Sequence, residues 1–271
     1  MTPEVDLYDS SYANYGADVY RGVRIETYGH DLGQTSWVTR EESAEIPRLL
    51  DLDSNSSVLE IGCGSGGYAL HLAGSIGCRL VGLDVNVLGI QNANQLAQKS
   101  GLASRARFEQ FDASQQLPFE KASFEAVFAN DVLCHLPGRR DVLREIFRVL
   151  NPGGRLLFSD ALVIGGMISH QDIAARSSIG FYVYSPPGEN ERILEQAGFQ
   201  VVRVLDTTEA ASRIAKQWHQ ARENRKAELV KLETAANFEG LQGFLSCVQR
   251  LTAERRLLRY LYLAERPSQT R

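Results

Sequence analysis

A glycine-rich segment carries the strongest chemical signal in this sequence. Four of the six residues from 62 to 67 are glycine, directly after an apolar run that is typical of a buried strand. Glycine is needed where a backbone turns sharply and a ligand must approach the amides without a Cβ atom in the way. Gly62, Gly64 and Gly67 satisfy G-x-G-x-x-G, which favours a dinucleotide whose pyrophosphate lies on a helix N-terminus. Gly62, Gly64 and Gly66 satisfy G-x-G-x-G, which suits an adenosyl amino acid that carries no phosphate.

Three acidic residues at predicted strand ends separate these two ligand classes. Asp84 follows the glycines by about 20 residues, where a carboxylate accepts hydrogen bonds from both ribose hydroxyls and disfavours a 2′-phosphate. Glu60 precedes the first glycine, where its charge would attract an amino group or a sulfonium and repel a pyrophosphate. Asp112, followed by Ala113, can accept a hydrogen bond from an adenine amino group. These residues favour S-adenosyl-L-methionine as the cofactor, with NAD as the alternative.

The elements that must position these residues alternate between short strands and helices. Strands that alternate with helices at this spacing form right-handed β-α-β units, in which helices cover both faces of a parallel sheet. The predicted fold class is therefore α/β, and residues 163–184 are expected to be irregular. The strands are predicted at 57–62, 79–85, 105–113, 124–131, 155–162, 200–206 and 256–267.

Three further regions surround the predicted sheet. Residues 1–36 hold half of the ten tyrosines but little apolar periodicity, so we expect them to pack onto another part of the molecule. Residues 37–51 predict a helix that begins with a capping box of Thr39 and Glu42. Residues 208–253 show two helical stretches, too long for a simple loop. We predict an N-terminal lid and helix (1–51), a core (52–207 and 254–271) and a helical cap over one end of the sheet (208–253).

Four segments together resemble the successive motifs of class I S-adenosylmethionine-dependent methyltransferases, closest to the small-molecule branch with the ubiquinone and menaquinone biosynthesis enzymes. The resemblance covers roughly residues 57–161, through EIGCGSGG, GLDV, FDASQQLPFEKASFEAVFANDVLCHL and REIFRVLNPGGRLLFSD. It implies a Rossmann-like, seven-stranded sheet whose last strand is antiparallel. It also implies cofactor roles for Gly62, Gly64 and Gly66 (methionine moiety), Asp84 (ribose), Asp112 and Ala113 (adenine), and the Asn130 backbone carbonyl (amino group).

The segment ETYGHDLGQTSW (26–37) is similar to a leader found in the sarcosine and dimethylglycine N-methyltransferases and in related tocopherol and alkaloid enzymes. That leader closes over the methionine end of the cofactor, which implies that Tyr28 and Trp37 bind the cofactor. The sequence departs from the family's aromatic-Gly-Glu element, because His30 stands where the acid is expected. Those families also carry a helical insertion between their last two strands.

Methyl transfer to an amine or a hydroxyl requires alignment of the acceptor, exclusion of water and a base that accepts the acceptor's proton. His135 is the leading candidate, because it lies five residues beyond Asn130, at the sheet edge where open α/β folds place their ligands. His30, in the leader, is the second candidate. Tyr182 and Tyr184 are candidates to line the acceptor pocket, where aromatic faces would favour a cationic product; core packing explains them equally well.

The predicted function is methyl transfer from S-adenosyl-L-methionine to a small-molecule acceptor, whose reacting group is an amine, a hydroxyl or an activated carbon. Two alternatives stay open at this point. One is an NAD-dependent oxidoreductase that uses Gly62, Gly64 and Gly67 with Asp84. The other is a module that binds the cofactor without turnover.

The overall composition limits the expected partners. The 29 Lys and Arg residues against 33 Asp and Glu residues give a net charge of −4, so nothing favours a nucleic-acid partner. The four cysteines have no C-x-x-C spacing and predict neither a metal site nor a disulfide framework. The polar N-terminus and the absence of a long apolar run predict a cytoplasmic protein without a membrane partner, as a monomer or homodimer.

Overall fold

Seven strands form one mixed sheet in the computed structural model, which describes residues 5–268. The strands are β1 (Ser57–Ile61), β2 (Arg79–Asp84), β3 (Ala106–Gln110), β4 (Phe124–Ala129), β5 (Leu150–Ile164), β6 (Gln200–Asp206) and β7 (Leu257–Glu265). Their spatial order is β3-β2-β1-β4-β5-β7-β6. The first five strands pair in parallel, and β7 runs antiparallel to both β5 and β6. The predicted α/β class and the implied antiparallel last strand are confirmed.

Helices cover both faces of the sheet, which explains why its central strands are apolar throughout. They are α1 (Tyr8–Ala13), α2 (Asp18–Tyr28), α3 (Arg40–Leu49), α4 (Gly67–Ile76), α5 (Val87–Lys99), α6 (Arg139–Val149), α7 (His170–Arg176), α8 (Glu189–Gln196), α9 (Thr208–Glu223), α10 (Lys226–Leu232) and α11 (Ala235–Ala253). The predicted capping box of α3 is present: the Glu42 backbone N–H donates to the Thr39 hydroxyl, and the Thr39 backbone N–H donates to the Glu42 carboxylate. Within residues 5–268, no helix combines the length and apolar composition that spanning a bilayer requires.

The structure corrects three expectations outside the core motifs. The N-terminal region contains two helices, and in α2 Val19, Val23 and Thr27 recur on one buried face at helical spacing. Residues 163–184 are not irregular throughout, because α7 begins there with a second capping box. Residues 208–253 form three helices rather than two. Residues 1–4 of the predicted lid and 269–271 of the predicted core lie outside the described residues.

One apolar cluster joins the N-terminal helices to the helices of residues 208–253. It includes Val23, Tyr28 and Trp37 from the N-terminal side, and Trp218 and Phe244 from the other. Both Trp37 and Tyr28 lie about 6 Å from Trp218, with ring centroids 5.9 and 6.2 Å apart. These two regions, predicted as lid and cap, therefore share one core. Their division into separate units stays a prediction.

A buried ion pair connects β7 to the end of β4. The Arg259 side chain is fully buried, and its Nε and Nη2 donate to the two Asp131 carboxylate oxygens at 2.8 and 3.3 Å. Its Nη1 also donates to Glu42 Oε1 at 2.8 Å and to Thr207 Oγ1 at 2.7 Å. Because Glu42 belongs to the first turn of α3, this arginine holds three separate parts of the chain together.

Asp131 has a second function in the same network. Its carboxylate accepts hydrogen bonds from the Trp37 backbone N–H and the Ser159 hydroxyl, each at 2.9 Å. Its backbone φ is +59°, a left-handed conformation that a non-glycine residue adopts only when its surroundings hold it there. The ion pair therefore stabilises a strained turn directly after β4 and attaches the leader to it.

Replacing Arg259 tests this network. Arg259→Met keeps most of the buried apolar stem but leaves the Asp131 and Glu42 carboxylates without their cation, so we expect a loss of about 3–5 kcal/mol in the free energy of unfolding. Urea unfolding measures it. The matched control is Arg192→Met, which removes an exposed pair with Glu189 and is expected to leave the unfolding midpoint almost unchanged. Equal unfolding midpoints for the two variants would contradict this assignment.

Candidate active site

A cavity of about 480 Å³ lies at the carboxyl ends of β1, β2 and β4, the edge where open α/β sheets bind their ligands. The strand ends contribute Ile61, Asp84 and Asn130 to its wall. The opposite wall comes from the N-terminal region, between residues 6 and 43, and from residues 176–182 after the fifth strand. The cavity thus brings the predicted cofactor motifs together with the N-terminal region, which includes the leader at 26–37, and with the segment after the fifth strand.

The glycine turn after β1 forms the floor of this cavity. Gly62 and Gly64 line it, with φ angles of +74° and +51° that favour glycine. A Cβ atom at Gly62 would lie 2.2 Å from a methyl group of Val132, and one at Gly64 would lie 2.8 Å from the Tyr12 hydroxyl. Gly66 lies behind the turn as the residue before α4 and does not line the cavity. The turn therefore leaves its backbone accessible only because these positions lack side chains.

Two carboxyl groups face the cavity beside this turn. Glu60 is buried within the apolar strand β1, and its Oε2 has no hydrogen-bond partner among the described residues. Burial, and then the charge of Asp84, raise the pKa of Glu60 well above its ordinary value. Asp84 accepts hydrogen bonds from the backbone N–H groups of Gly64 and Asn86, each at 2.8 Å, while burial raises its pKa. A buried carboxyl group without a donor favours a ligand that carries a cation.

These features fit S-adenosyl-L-methionine. The unpartnered Glu60 oxygen and the equally unpartnered Asn130 side-chain oxygen offer two acceptors for its amino group. Asp84 keeps lone pairs for ribose hydroxyls, because each of its oxygens accepts only one backbone hydrogen bond. The negative charge of a pyrophosphate would instead lie beside two carboxyl groups, where it would lose hydration. The site chemistry thus favours the sulfonium cofactor over a dinucleotide.

Of the two residues predicted at the adenine, Ala113 lines the cavity and Asp112 does not. Ala113 and its neighbour Phe111 line the cavity. Asp112, between them, is exposed and does not line it; its carboxylate accepts a hydrogen bond from the Ser114 backbone N–H at 2.9 Å. That hydrogen bonding with Ser114 lowers the pKa of Asp112. A role of Asp112 at the adenine stays a prediction.

The two aromatic residues of the leader also differ in position. Trp37 is buried and lines the cavity. Tyr28 lies behind that wall, where its hydroxyl donates to the Ser36 carbonyl at 2.8 Å and its ring packs near Trp218. Tyr12, which the motifs did not indicate, lies directly over the glycine turn. The geometry gives Tyr28 a supporting position, and its predicted cofactor contact is not tested.

His30 lines the cavity, but both of its ring nitrogens are engaged. Its Nδ1 donates to the Tyr28 carbonyl at 3.0 Å, and its Nε2 lies 3.0 Å from the amide nitrogen of Gln34. The Gln34 amide is fixed in this orientation, because its oxygen accepts from the Leu32 backbone N–H at 2.8 Å. Burial also lowers the pKa of His30. Its one basic nitrogen is therefore already occupied by an internal donor.

His135 lies in a short 3₁₀ turn after β4, and its tautomer follows from its partners. Its Nδ1 is 3.1 Å from the Phe181 carbonyl, which can only accept, so Nδ1 carries the proton. Its Nε2 then accepts from the Tyr8 hydroxyl at 3.1 Å. Burial, and then the nearby charge of Arg176, lower the pKa of His135 to about 4. At neutral pH the ring is neutral, with its basic nitrogen directed at Tyr8.

Aromatic and cationic groups surround His135. The Tyr182 ring lies 4.3 Å from the His135 ring, and the Arg176 guanidinium lies 4.4 Å from the centre of Tyr182. Tyr182 lines the cavity as predicted, whereas Tyr184 is turned towards Ser177, with which its hydroxyl pairs at 2.9 Å. A cationic product at Tyr182 would meet the like charge of Arg176, which contradicts the expectation of a cation-binding aromatic site there.

Sequence reasoning missed Tyr8, Tyr12 and Arg176. The concentration of tyrosines in the first 36 residues was the available signal for the first two. Arg176 lies in a segment where no motif marks it, and only the folded chain places it beside the cavity.

Replacing Glu60 tests whether the site holds an uncompensated charge. Glu60→Gln removes the ionisation of a buried group whose raised pKa destabilises the fold above pH 4.5, so we expect the free protein to gain roughly 1–3 kcal/mol at pH 7 and less at pH 4.5. The same variant should bind S-adenosyl-L-methionine about 10- to 100-fold more weakly. Urea unfolding and calorimetry measure the two effects. The exposed control Glu195→Gln should change neither, and a Glu60→Gln variant with unchanged affinity would overturn the assignment.

Comparison with known proteins agrees with this site. The family described as a methyltransferase domain matches residues 59–158. Methyltransferase GfsG of Streptomyces halstedii is 33% identical, with the alignment covering 61% of this chain and 60% of the relative. The 27-O-demethylrifamycin SV methyltransferase of Amycolatopsis mediterranei is 32% identical, covering 55% and 58%. The chain thus spans about 60% of the length of these curated relatives.

The similarity extends to the fold of nearly the whole chain. The solved structure of a protein named as a sarcosine dimethylglycine methyltransferase, from Galdieria sulphuraria, aligns with a TM-score of 0.80 and 17% identity. That alignment covers 97% of this chain and 99% of the other, so the helices outside the matched domain share the architecture as well. Residues 59–158 thus match a methyltransferase domain, and the chain as a whole shares the fold of this solved structure.

Proposed function

We propose that this protein transfers a methyl group from S-adenosyl-L-methionine to a small-molecule acceptor. The observation that carries the proposal is a single cavity with an acid-lined glycine turn at one side and a neutral, hydrogen-bonded histidine at the other. S-adenosyl-L-methionine supplies an electrophilic methyl group on its sulfonium. The residues of this chain then have three tasks: to bind the cofactor, to align the acceptor and to accept the acceptor's proton.

His135 and Tyr8 are proposed to perform the proton transfer. The Phe181 carbonyl keeps the proton of His135 on Nδ1, which leaves Nε2 as the base. Tyr8 already donates to this nitrogen, so its oxygen can accept the proton of an acceptor hydroxyl or amine while its own proton moves to His135. This relay supports an O- or N-methylation more directly than attack by a carbon atom.

The N-terminal region is proposed to exclude water from the reaction. Tyr8, Tyr12 and Trp37 all line the cavity from this region, and the hydrogen bond from Trp37 to Asp131 attaches it to the end of β4. Water would compete as an acceptor and would screen the charges in the site. A wall of three aromatic side chains limits that access.

The NAD-dependent alternative finds no support in the site or in its relatives. Glu60 and Asp84 place two carboxyl groups beside the glycine turn, where a pyrophosphate would have to lie. The curated relatives reported above are named as methyltransferases. A small-molecule acceptor is consistent with the antibiotic substrate that the Amycolatopsis relative's name specifies.

Calorimetry with S-adenosyl-L-methionine and S-adenosylhomocysteine tests the cofactor assignment. Both should bind the wild-type protein, and Asp84→Ala should weaken them by about 1–3 kcal/mol, since a buried hydrogen-bonding partner is removed. The exposed Asp141→Ala is the matched control. Binding of NAD with no binding of either adenosyl compound would refute the assignment. Tight binding without methyl transfer to any of a panel of phenols and amines would indicate a binding module.

A titration of the histidine resonances tests the state of His135. The signal that His135→Asn removes should titrate near pH 4 in the wild-type protein, because burial and the Arg176 charge disfavour the imidazolium. The folded pKa is depressed, so the unfolded chain takes up this proton first as the pH falls from 6.5 to about 4. Wild-type stability should therefore decrease relative to His135→Asn over that range. A His135 signal that titrates near 6.5 would contradict the buried, hydrogen-bonded state.

A further inference from the structure

Arg176 is a buried cation without a carboxylate partner among residues 5–268. It is the last residue of α7, is 1% exposed and lines the cavity. No carboxylate of the described residues lies within ion-pair distance of it, and its buried Nη1 has no hydrogen-bond partner. An isolated buried guanidinium is costly, because it loses hydration and cannot release its proton.

The other buried arginines in the part of the chain that the structure describes all have oxygen partners. Arg24 pairs with Asp31, Arg139 with Asp160, Arg222 with Glu233, and Arg259 with Asp131 and Glu42, while Arg266 donates to backbone carbonyls. Among the buried arginines of residues 5–268, Arg176 alone has neither a carboxylate nor a backbone carbonyl as a partner.

Two acidic residues near Arg176, in the chain and in the cavity, are engaged by other arginines. Asp172 lies four residues earlier on α7, at the spacing of a helical ion pair, but its carboxylate binds Arg250 and Arg256 at 2.6 and 2.9 Å. Asp131 lines the same cavity and is bound by Arg259. The fold therefore keeps Arg176 uncompensated although carboxylates are near it in the chain and in the cavity.

Aromatic rings hold the guanidinium in place, while its Nη1 keeps no hydrogen-bond partner among the described residues. It lies 4.4 Å from the centre of Tyr182, 5.1 Å from Phe244 and 5.9 Å from Trp37. Cation–π contacts of this kind offset part of the desolvation and orient the planar group. They leave N–H groups available for a ligand oxygen, and the guanidinium fork suits a carboxylate or phosphate.

The cavity consequently has two ends of unlike charge. Glu60 and Asp84 lie beside the glycine turn, whereas Arg176 is the one Lys or Arg among the described residues that line the cavity. The groups whose pKa the Arg176 charge influences include Tyr8, His135 and Tyr182, which are the proposed acceptor side. The acidic end suits the cationic cofactor, and the basic end suits an anion.

We propose that Arg176 binds an oxyanion of the methyl acceptor, so that the substrates of this enzyme carry a carboxylate or phosphate group. The proposal rests on the proposed methyl transfer and specifies its substrate class. Tyr182 would lie between the bound anion and the base, because it contacts both Arg176 and His135.

This arrangement couples acceptor binding to the strength of the base. The Arg176 charge is one of the two causes that lower the pKa of His135, with burial as the larger. The other groups that face His135 are the Tyr8 hydroxyl, the Tyr182 ring, the Phe181 carbonyl and the more distant Asp131 carboxylate. An oxyanion on Arg176 would neutralise the guanidinium and raise the basicity of His135 only when the acceptor is in place.

The test uses four small probes that share one ring and differ in charge: benzoate, phenyl phosphate, benzamide and benzylamine. Each is titrated by calorimetry into the wild-type protein saturated with S-adenosylhomocysteine. We expect benzoate or phenyl phosphate to bind at least about tenfold more tightly than benzamide, and benzylamine not to bind. The comparison of the two anions identifies the carboxylate or phosphate as the preferred group.

Variants of Arg176 test whether its guanidinium causes the preference for anionic probes. Arg176→Met should abolish the preference for the anion, Arg176→Lys should retain part of it, and the exposed Arg192→Met should leave it unchanged. Arg176→Met removes an unpaired buried charge, so we expect it to fold with at least wild-type stability. The His135 signal should shift to higher pKa on addition of the preferred anion in the wild-type protein, and not in Arg176→Met.

Two results would overturn the proposal. One is equal binding of benzoate, phenyl phosphate and benzamide to the wild-type protein. The other is an Arg176→Met variant that loses S-adenosylhomocysteine affinity as strongly as it loses the anion, which would assign the guanidinium to the cofactor's own carboxylate. Failure of the proposed function is distinguishable, because the wild-type protein would then either not bind S-adenosylhomocysteine or bind the cofactor without methyl transfer to any acceptor.

Discussion

The buried ion pair between Arg259 and Asp131 is the constraint on which the cavity depends. Asp131 is held in a left-handed conformation directly after β4, and the turn that follows carries His135. The same carboxylate accepts the Trp37 backbone N–H, while Arg259 also binds Glu42 at the start of α3. In a low-dielectric interior each of these charges is tolerable only with its partners present. One interaction therefore positions the proposed base, the leader and the last antiparallel strand.

Against this fully paired network, two buried charged groups at the cavity stand out. Glu60 and Arg176 each keep a polar atom without a partner, at opposite sides of the same space. Such groups lower the stability of a folded protein, and they are concentrated at functional sites. The cofactor has a cationic sulfonium and amino group for the acidic side, and an anionic acceptor would complete the basic side. The cavity is in this sense complementary to a pair of ligands rather than to one.

The comparison of the two candidate histidines shows how far sequence reasoning reached. Both His30 and His135 were predicted as candidate bases, and both line the cavity. What separates them is the partner on the basic nitrogen: a fixed Gln34 amide for His30 and a tyrosine hydroxyl for His135. The partner of His135 could not be deduced from spacing, because Tyr8 lies 127 residues away in the chain. Helix α2 was not predicted, because Arg24 and Thr27 interrupt its apolar positions. Both of these residues are buried through polar contacts.

The sequence by itself determined the parts of this protein that depend on local conformation. Glycines at positive φ, the capping box of α3 and the alternation of strands with helices follow from the geometry of neighbouring residues, and they specify the sheet and the cofactor turn. Only the tertiary structure decided that Asp112 does not line the cavity, that Tyr8 meets His135, and that Arg176 has no carboxylate partner within residues 5–268. Those outcomes depend on which side chains meet across distant segments, and on which acids have already been paired. No local sequence pattern predicts these pairings, because packing and desolvation in the folded chain decide them.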